Sequence, residues 1–240
     1  MSTVAESFAL AGRMIVQADP ALWQVVGLSL RVSGMACLLG AIMGLTLGTW
    51  LAVARFPGQG VVVWAVNTLL ALPSVVVGLA VYLLLSRAGP LGSLGILFTP
   101  PAMVIAQSIL VVPLIVALTR RLVIDALGEG GDQLRSLGAS PLQSGMLMLV
   151  HERFAVLTIL LTAFGRAVSE VGAVMMVGGN IDGVTRVMTT AIALETSKGD
   201  LALALALGIV LLAVVGVINL VLAAMQRRNG HGSALLGASA

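Results

Sequence analysis

Charged and nucleophilic side chains are sparse in this sequence, so the few that stand close together say most about its chemistry. His151-Glu152 opens like a zinc-binding His-Glu-x-x-His helix, in which two histidines one turn apart share a face. The second histidine would fall at position 155, which is Ala155, and the other histidine, His231, lies in the tail. No acidic cluster offers a metal site and no nucleophile has a base spaced beside it. A Gly-x-x-x-x-Gly-Lys-[Ser/Thr] phosphate loop is missing too, and the one lysine is Lys198. The chain reads as a non-enzyme that binds no cofactor or metal of its own. Arg166 and Glu170 are a different case: they are the only charges in residues 154–181, an otherwise apolar run.

The elements around them are set by composition. Of 240 residues, 59% are apolar and 10% charged, against about 25% charged in soluble domains; mean hydropathy is +1.09. Residues 32–54, 56–86, 88–119 and 201–226 carry no charge. Each exceeds the ~20 apolar residues that cross ~30 Å of hydrocarbon. In lipid a backbone must satisfy its own hydrogen bonds, so these runs are helices. The fold class is an all-α membrane protein of about five transmembrane helices in a lipid bilayer. A pI near 10.0 does not indicate nucleic acid: net charge is +3 and no basic run exceeds two residues. Cys37 is alone, so no disulfide framework exists. The N-terminus has no signal-peptide pattern, so the first long helix is expected to remain a span.

Along the chain, residues 1–21 are mixed and read either as a short interfacial helix or as a loose terminus. Expected spans are 22–54, 61–85, 99–118, 154–177 and 201–225, the whole of 22–225 forming one transmembrane domain. Pro73 and Pro113 are expected to kink the second and third spans. Residues 178–200 read as a loop, of which 187–194 is apolar enough to dip into the membrane. Residues 226–240 read as a flexible tail. Lys and Arg divide seven (Arg55, Arg120, Arg121, Arg135, Arg153, Arg227, Arg228) against four (Arg13, Arg87, Arg186, Lys198). By the positive-inside rule the segment 120–153 and the C-terminus are cytoplasmic and the N-terminus is outside.

Gly40, Gly44 and Gly48 recur every fourth residue on the first span, a spacing that lets helix backbones approach closely. It serves packing within the chain or a contact with a second copy. On a continuous fourth span Arg166 and Glu170 share a face with Thr162, Ser169 and Ala173. Each charge costs about 2.5–3.5 kcal/mol at a helix centre, so the face turns from lipid, as the polar wall of a path or as a structural ion pair. Within 120–153, Ser140-Pro141-Leu142-Gln143 is a helix start, with Ser as cap, Pro first in the helix and Gln three residues after the cap. Gly138 suits the break before it. Two short helices are expected to meet there and project into the cytoplasm.

Asp132-Gln133-Leu134-x-x-x-Gly138 is similar to the Glu-Ala-Ala-x-x-x-Gly loop of permease subunits of ATP-binding-cassette importers. Met148 and Val150 stand at that family's later apolar positions. Asp132 replaces Glu, Gln133 and Leu134 replace two Ala, and His151 stands where Pro is usual. Residues 72–79, 89–92 and 164–173 resemble molybdate and tungstate importers, as does Gly178-Gly179-Asn180-Ile181. Residues 185–200 resemble the tungstate branch most closely. The resemblance implies a type I importer permease of a bacterial or archaeal plasma membrane. Its cargo would be a tetrahedral oxyanion, tungstate in first place, with molybdate or sulfate as alternatives. It implies a coupling loop at Asp132, Gln133, Leu134, Gly138, Ala139, Ser140 and Pro141 that docks on a separate P-loop ATPase using ATP and Mg. It also implies an external oxyanion-binding protein, a second copy of this chain, and a path lined by residues such as Arg166, Ser169, Glu170 and Asn180. A passive channel is the more distant reading.

Overall fold

The structure, a computed structural model, describes residues 3–17 and 20–234, and every regular element among them is helical. In chain order these are α1 (Thr3–Val16), α2 (Pro20–Val53), α3 (Gln59–Leu69), α4 (Ser74–Leu85), a 3-10 turn (Gly92–Leu94), α5 (Pro100–Ser136), α6 (Pro141–His151), α7 (Arg153–Val168), α8 (Gly172–Gly178), α9 (Met188–Lys198) and α10 (Leu201–Ala234). The chain divides into two units, residues 23–190 and residues 1–22 with 191–240.

In the unit of 23–190 the axis is the pair α2 and α5. The glycine stripe faces α5. A methyl group built on Gly40 would lie 3.0 Å from Val111 Cγ1, on Gly44 2.6 Å from Ile115 Cβ, and on Gly48 2.8 Å from Thr119 Cβ. All three glycines are buried. Both residue series rise together, so α2 and α5 run parallel. The chain between them must therefore cross back. Residues 59–85 do so as α3 and α4, which meet at 100°, so this pair is one broken span. The kink expected at Pro73 is in fact a break. Proline disfavours helical backbone at Leu72 before it, and Pro73 itself is extended, with φ −64° and ψ 127°, so α4 starts anew.

Pro113 acts differently: α5, 37 residues long, continues through it. A span can absorb a proline where neighbouring helices re-satisfy the backbone, and Pro113 is buried. Thr99 in extended backbone and Pro100 at the first position start α5. The helix does not stop at residue 118. It carries the polar segment out to Ser136, so the first of the two short helices expected before Gly138 is the end of α5. α6 follows, and α7 leaves it at 79°.

α7 returns antiparallel to α5. His151 and Glu152, just before it, share a cavity with Ala126 and Gly130, while near its far end the Ala167 carbonyl accepts from Gln107 Nε2 at 2.9 Å. Buried Val111, Ile115, Ile159, Ala163 and Ala167 pack between the two helices. A second apolar cluster joins Val77 and Val81 of α4, Met103 and Ala106 of α5, and Ala173, Val174 and Val177 of α8. The fourth span, expected unbroken, stops at Val168 and resumes as α8.

In the unit of 1–22 with 191–240, α1 packs on α10. Residues 3–16 are thus helical. Buried positions are small on both helices, among them Ser7, Ala11, Ala204 and Ala206, which favours close packing. Residues 226–234, expected as tail, are helical: no proline interrupts α10, and extending an existing helix adds a hydrogen bond per residue. Residues 235–240 of that expected tail lie outside the described residues. By length and composition three helices can cross a membrane, or five spans with each bent pair as one. The parallel run of α2 and α5 favours the higher count.

Candidate coupling loop and translocation path

The break between α5 and α6 is a built turn. Gly138 has φ 83°, a left-handed backbone that glycine adopts without penalty. The Gly138 amide donates to the Arg135 carbonyl and the Ala139 amide to the Leu134 carbonyl, each at 3.0 Å, which closes α5 in the manner of a glycine C-cap. Two residues on, Ser140 and Gln143 form a reciprocal capping box: Gln143 Oε1 accepts from the Ser140 amide at 2.9 Å and Ser140 Oγ accepts from the Gln143 amide at 3.4 Å. Pro141 follows as the first helical residue. The turn is therefore stiff.

It is also exposed and braced. Gly48 stands against Thr119, so Val53, where α2 ends, is level with Ile124. α5 then runs another twelve residues, about 18 Å, to Ser136. α6 folds back against the end of α2. A methyl on Gly145 would meet Thr49 Cγ2 at 2.8 Å and Val53 Cγ1 at 3.2 Å, contacts that only glycine permits. Asp132 and Gln133 are exposed and Leu134 is half-buried. Gln133 and Leu134 line, with Glu129, Leu147, Met148 and His151, a groove of about 460 Å³ between α5 and α6. Leu137 is 82% exposed and Val150 69%. The loop thus presents a mixed polar and apolar surface at the projecting end of a long helix.

Arg166 and Glu170 part company. The break after Val168 places Glu170 in the connection, 8% exposed, where its Oε1 accepts from the Ala173 amide at 3.1 Å. The carboxylate thus caps α8 and sits at the positive end of its backbone dipoles. Its own carbonyl accepts from Thr189 Oγ1 at 2.8 Å. Arg166 is exposed on α7 with Thr158 and Thr162, and Ser169, the residue that ends the helix, is exposed beside them. Contrary to the expectation from a continuous helix, Arg166 and Glu170 do not share a face, and of the two alternatives the structural ion pair does not form among the described residues. Packing explains the break. A methyl on Gly172 would lie 2.7 Å from Val75 Cγ2 and 2.8 Å from Ser74 Oγ, and one on Gly78 2.8 Å from Ala173 Cα. α8 must leave the α7 axis to lie this close to α4.

Arg166 therefore heads an open polar stripe. The Thr158, Thr162 and Ser169 hydroxyls donate back to carbonyls three or four residues earlier at 2.9–3.1 Å, and the Arg166 guanidinium is exposed among them. Asn180 is not on this stripe. It sits in the connection to α9 with φ 51°, a left-handed geometry that asparagine tolerates, and its Oδ1 is buried without a partner. That connection is pinned by polar groups sequence reading passed over. Thr185 Oγ1 donates to the Gly178 carbonyl, and the Met188 amide donates to Ser29 Oγ at 2.8 Å. Gln107 was missed as well; a neutral amide leaves a charge-free stretch looking uniform. The signal was a glutamine inside an apolar run.

These features define a membrane transport subunit. The family of binding-protein-dependent transport system inner membrane components matches residues 44–231, and the chain belongs to it. The chain is 42% identical over 227 residues to the tungstate uptake system permease protein of Peptoclostridium acidaminophilum, covering 94% of this chain and 99% of that one. It is 39% identical over 220 residues to a probable anion ABC transporter permease protein of Haloferax volcanii (88% and 95%). With the tungstate uptake system permease protein of Campylobacter jejuni it shares 41% over 162 residues (68% of each). Sulfate and molybdenum transport system permease proteins of Escherichia coli match at 30% and 31%.

Proposed function

We propose that this chain is the path-forming permease of an ATP-driven importer of tetrahedral oxyanions, with tungstate as cargo. The observation that carries the cargo is the 42% identity, over nearly the full length of both chains, to a tungstate uptake permease. Sulfate and molybdenum permeases stand further away and define the alternatives.

In this reading two copies of the chain enclose the path. The Arg166 stripe supports it, because a guanidinium and three hydroxyls on an exposed face of a spanning helix are costly against lipid. A dianion stripped of water needs positive charge near it, which Arg166 supplies and which the neutral threonines hold without trapping. The Gly138 loop, with Asp132, Gln133, Leu134, Ala139, Ser140 and Pro141, seats a P-loop ATPase that uses ATP and Mg. Its stiff cap and the contact of Gly145 with α2 let a push at the loop reach the spans. The loop and the C-terminus face the cytoplasm, and an external binding protein delivers cargo. Gly40, Gly44 and Gly48 hold α2 on α5 within each copy.

The deciding experiment is co-purification followed by reconstitution. The chain should bring down a P-loop ATPase, and vesicles holding the set should take up tungstate only with ATP and the cognate binding protein. Uptake without ATP would leave a passive channel; preferential uptake of molybdate or sulfate would overturn the cargo.

A further inference from the structure

On the face of α5 opposite the α5–α6 groove, a second cavity of about 720 Å³ opens where α2 ends, within the range of ~300–1,000 Å³ typical of small-molecule sites. Val53, Ile124 and Leu127 give it apolar walls, Arg55 and Arg135 line it as cations, and no acidic residue lines it. Arg135 Nη2 lies 3.4 Å from Asp132 Oδ1, but these side chains are 72% and 96% exposed, and such pairs contribute little. Arg55 has no ion pair among the described residues. Ser144 also lines the cavity, is 3% exposed, and its Oγ has no hydrogen-bond partner, a state that normally costs about 1–3 kcal/mol.

The cavity floor is Gly128 and Gly131. A methyl on Gly128 would meet nothing within 4 Å, and one on Gly131 only Leu127 of its own turn at 3.5 Å and Arg135 Nη2 at 3.8 Å. Neither glycine has left-handed backbone. Close packing and turn geometry therefore do not require them, although each costs a helix about 1 kcal/mol relative to alanine. Their effect is the depth of the cavity. The depth in the membrane is marked as well. Trp50, 45% exposed, stacks on Phe56 at 5.2 Å beside the last residues of α2, and tryptophan concentrates at the membrane–water boundary.

We propose that this cavity seats the phosphate-bearing headgroup of an anionic phospholipid, with Arg55 and Arg135 as its charged donors and Ser144 as a neutral one. Free phosphate or another small oxyanion shares the donor chemistry, but it has no use for the apolar walls at the membrane surface.

Native mass spectrometry of the full-length chain tests this, by titration with phosphatidylglycerol and with phosphatidylcholine of the same acyl chains. One phosphatidylglycerol should be retained per chain at concentrations where phosphatidylcholine is not. Arg55→Gln with Arg135→Gln should weaken it by about tenfold or more. Gly128→Leu, which fills the floor and keeps both charges, should weaken it comparably. Both arginines are exposed, so the double variant decides the matter if the leucine variant fails to fold. Equal retention of the two lipids, or unchanged phosphatidylglycerol binding in the double variant, overturns the proposal. So does displacement of the lipid by submillimolar inorganic phosphate or tungstate, which would make the site one for a free anion. Loss of a co-purifying ATPase in the double variant with lipid binding intact would assign the surface to a protein partner.

Discussion

Arg166 and Glu170 show how far two side chains four residues apart can diverge. One is exposed and without an ion pair among the described residues; the other is buried and bonded to the Ala173 amide. Their substitutions should therefore fail in different ways. Arg166→Ala should lower ATP-driven oxyanion uptake by roughly 10–100-fold, the range for losing a charged hydrogen bond, with the amount of folded protein unchanged. Arg166→Lys should recover part of it. Equal loss of folded protein and uptake in Arg166→Ala would assign it a structural role. Glu170→Ala removes the acceptor for the Ala173 amide and should cost about 1 kcal/mol of stability, read as a lower melting temperature. Glu170→Gln keeps an acceptor oxygen and should lie closer to wild type; identical shifts in the two variants would show that the cap is not what Glu170 contributes.

Among elements, the α2–α5 pair is the most tightly specified. Gly44→Val puts side-chain atoms where Ile115 already stands. It should destabilise the fold by about 1–3 kcal/mol or more, as overpacking does. Gly34→Val on the same helix is the control, since a methyl there meets nothing within 4 Å. Equal melting temperatures for the two would contradict the packing described for α2 on α5. At the loop, Gly138→Asp forces a side chain into φ 83° and adds charge to the exposed turn. It should abolish ATP-driven uptake while insertion into the membrane, measured by fractionation, stays normal. Unaffected uptake would remove the loop from coupling.

The molecule as a whole is a set of spans whose direction follows from register. Parallel α2 and α5 require the α3–α4 pair to cross, and antiparallel α7 returns the chain. A cysteine introduced at Gly138 and one at Gly95, in the loop before α5, should label from opposite sides of sealed vesicles with an impermeant thiol reagent, in a Cys37→Ala background. Labelling from one side would break the topology. For cargo, the prediction belongs to the assembled importer: tungstate should outcompete equimolar molybdate and sulfate for uptake with the cognate binding protein.

Much of this could be read from residue types alone. Charge-free runs of twenty or more residues point to helical spans, whole or broken, because lipid offers the backbone no partner. The Ser140–Gln143 cap and the Gly138 break were legible for the same local reason: their hydrogen bonds close within a few residues. The glycine stripe announced a close approach, but only tertiary structure chose α5 as its partner. The break at Leu72-Pro73 has a local cause in the proline, whereas the one at Ser169–Val171 was decided by packing at a distance, where Gly172 lies on Ser74 and Val75 and Gly78 lies on Ala173. The unbroken passage of α5 through Pro113 was decided in the same way. Local sequence determines whether a helix is tolerated in lipid and ends it where a glycine, a cap or a proline stands; where no such signal stands, as after Val168, the end depends on how closely a neighbour far along the chain has to approach.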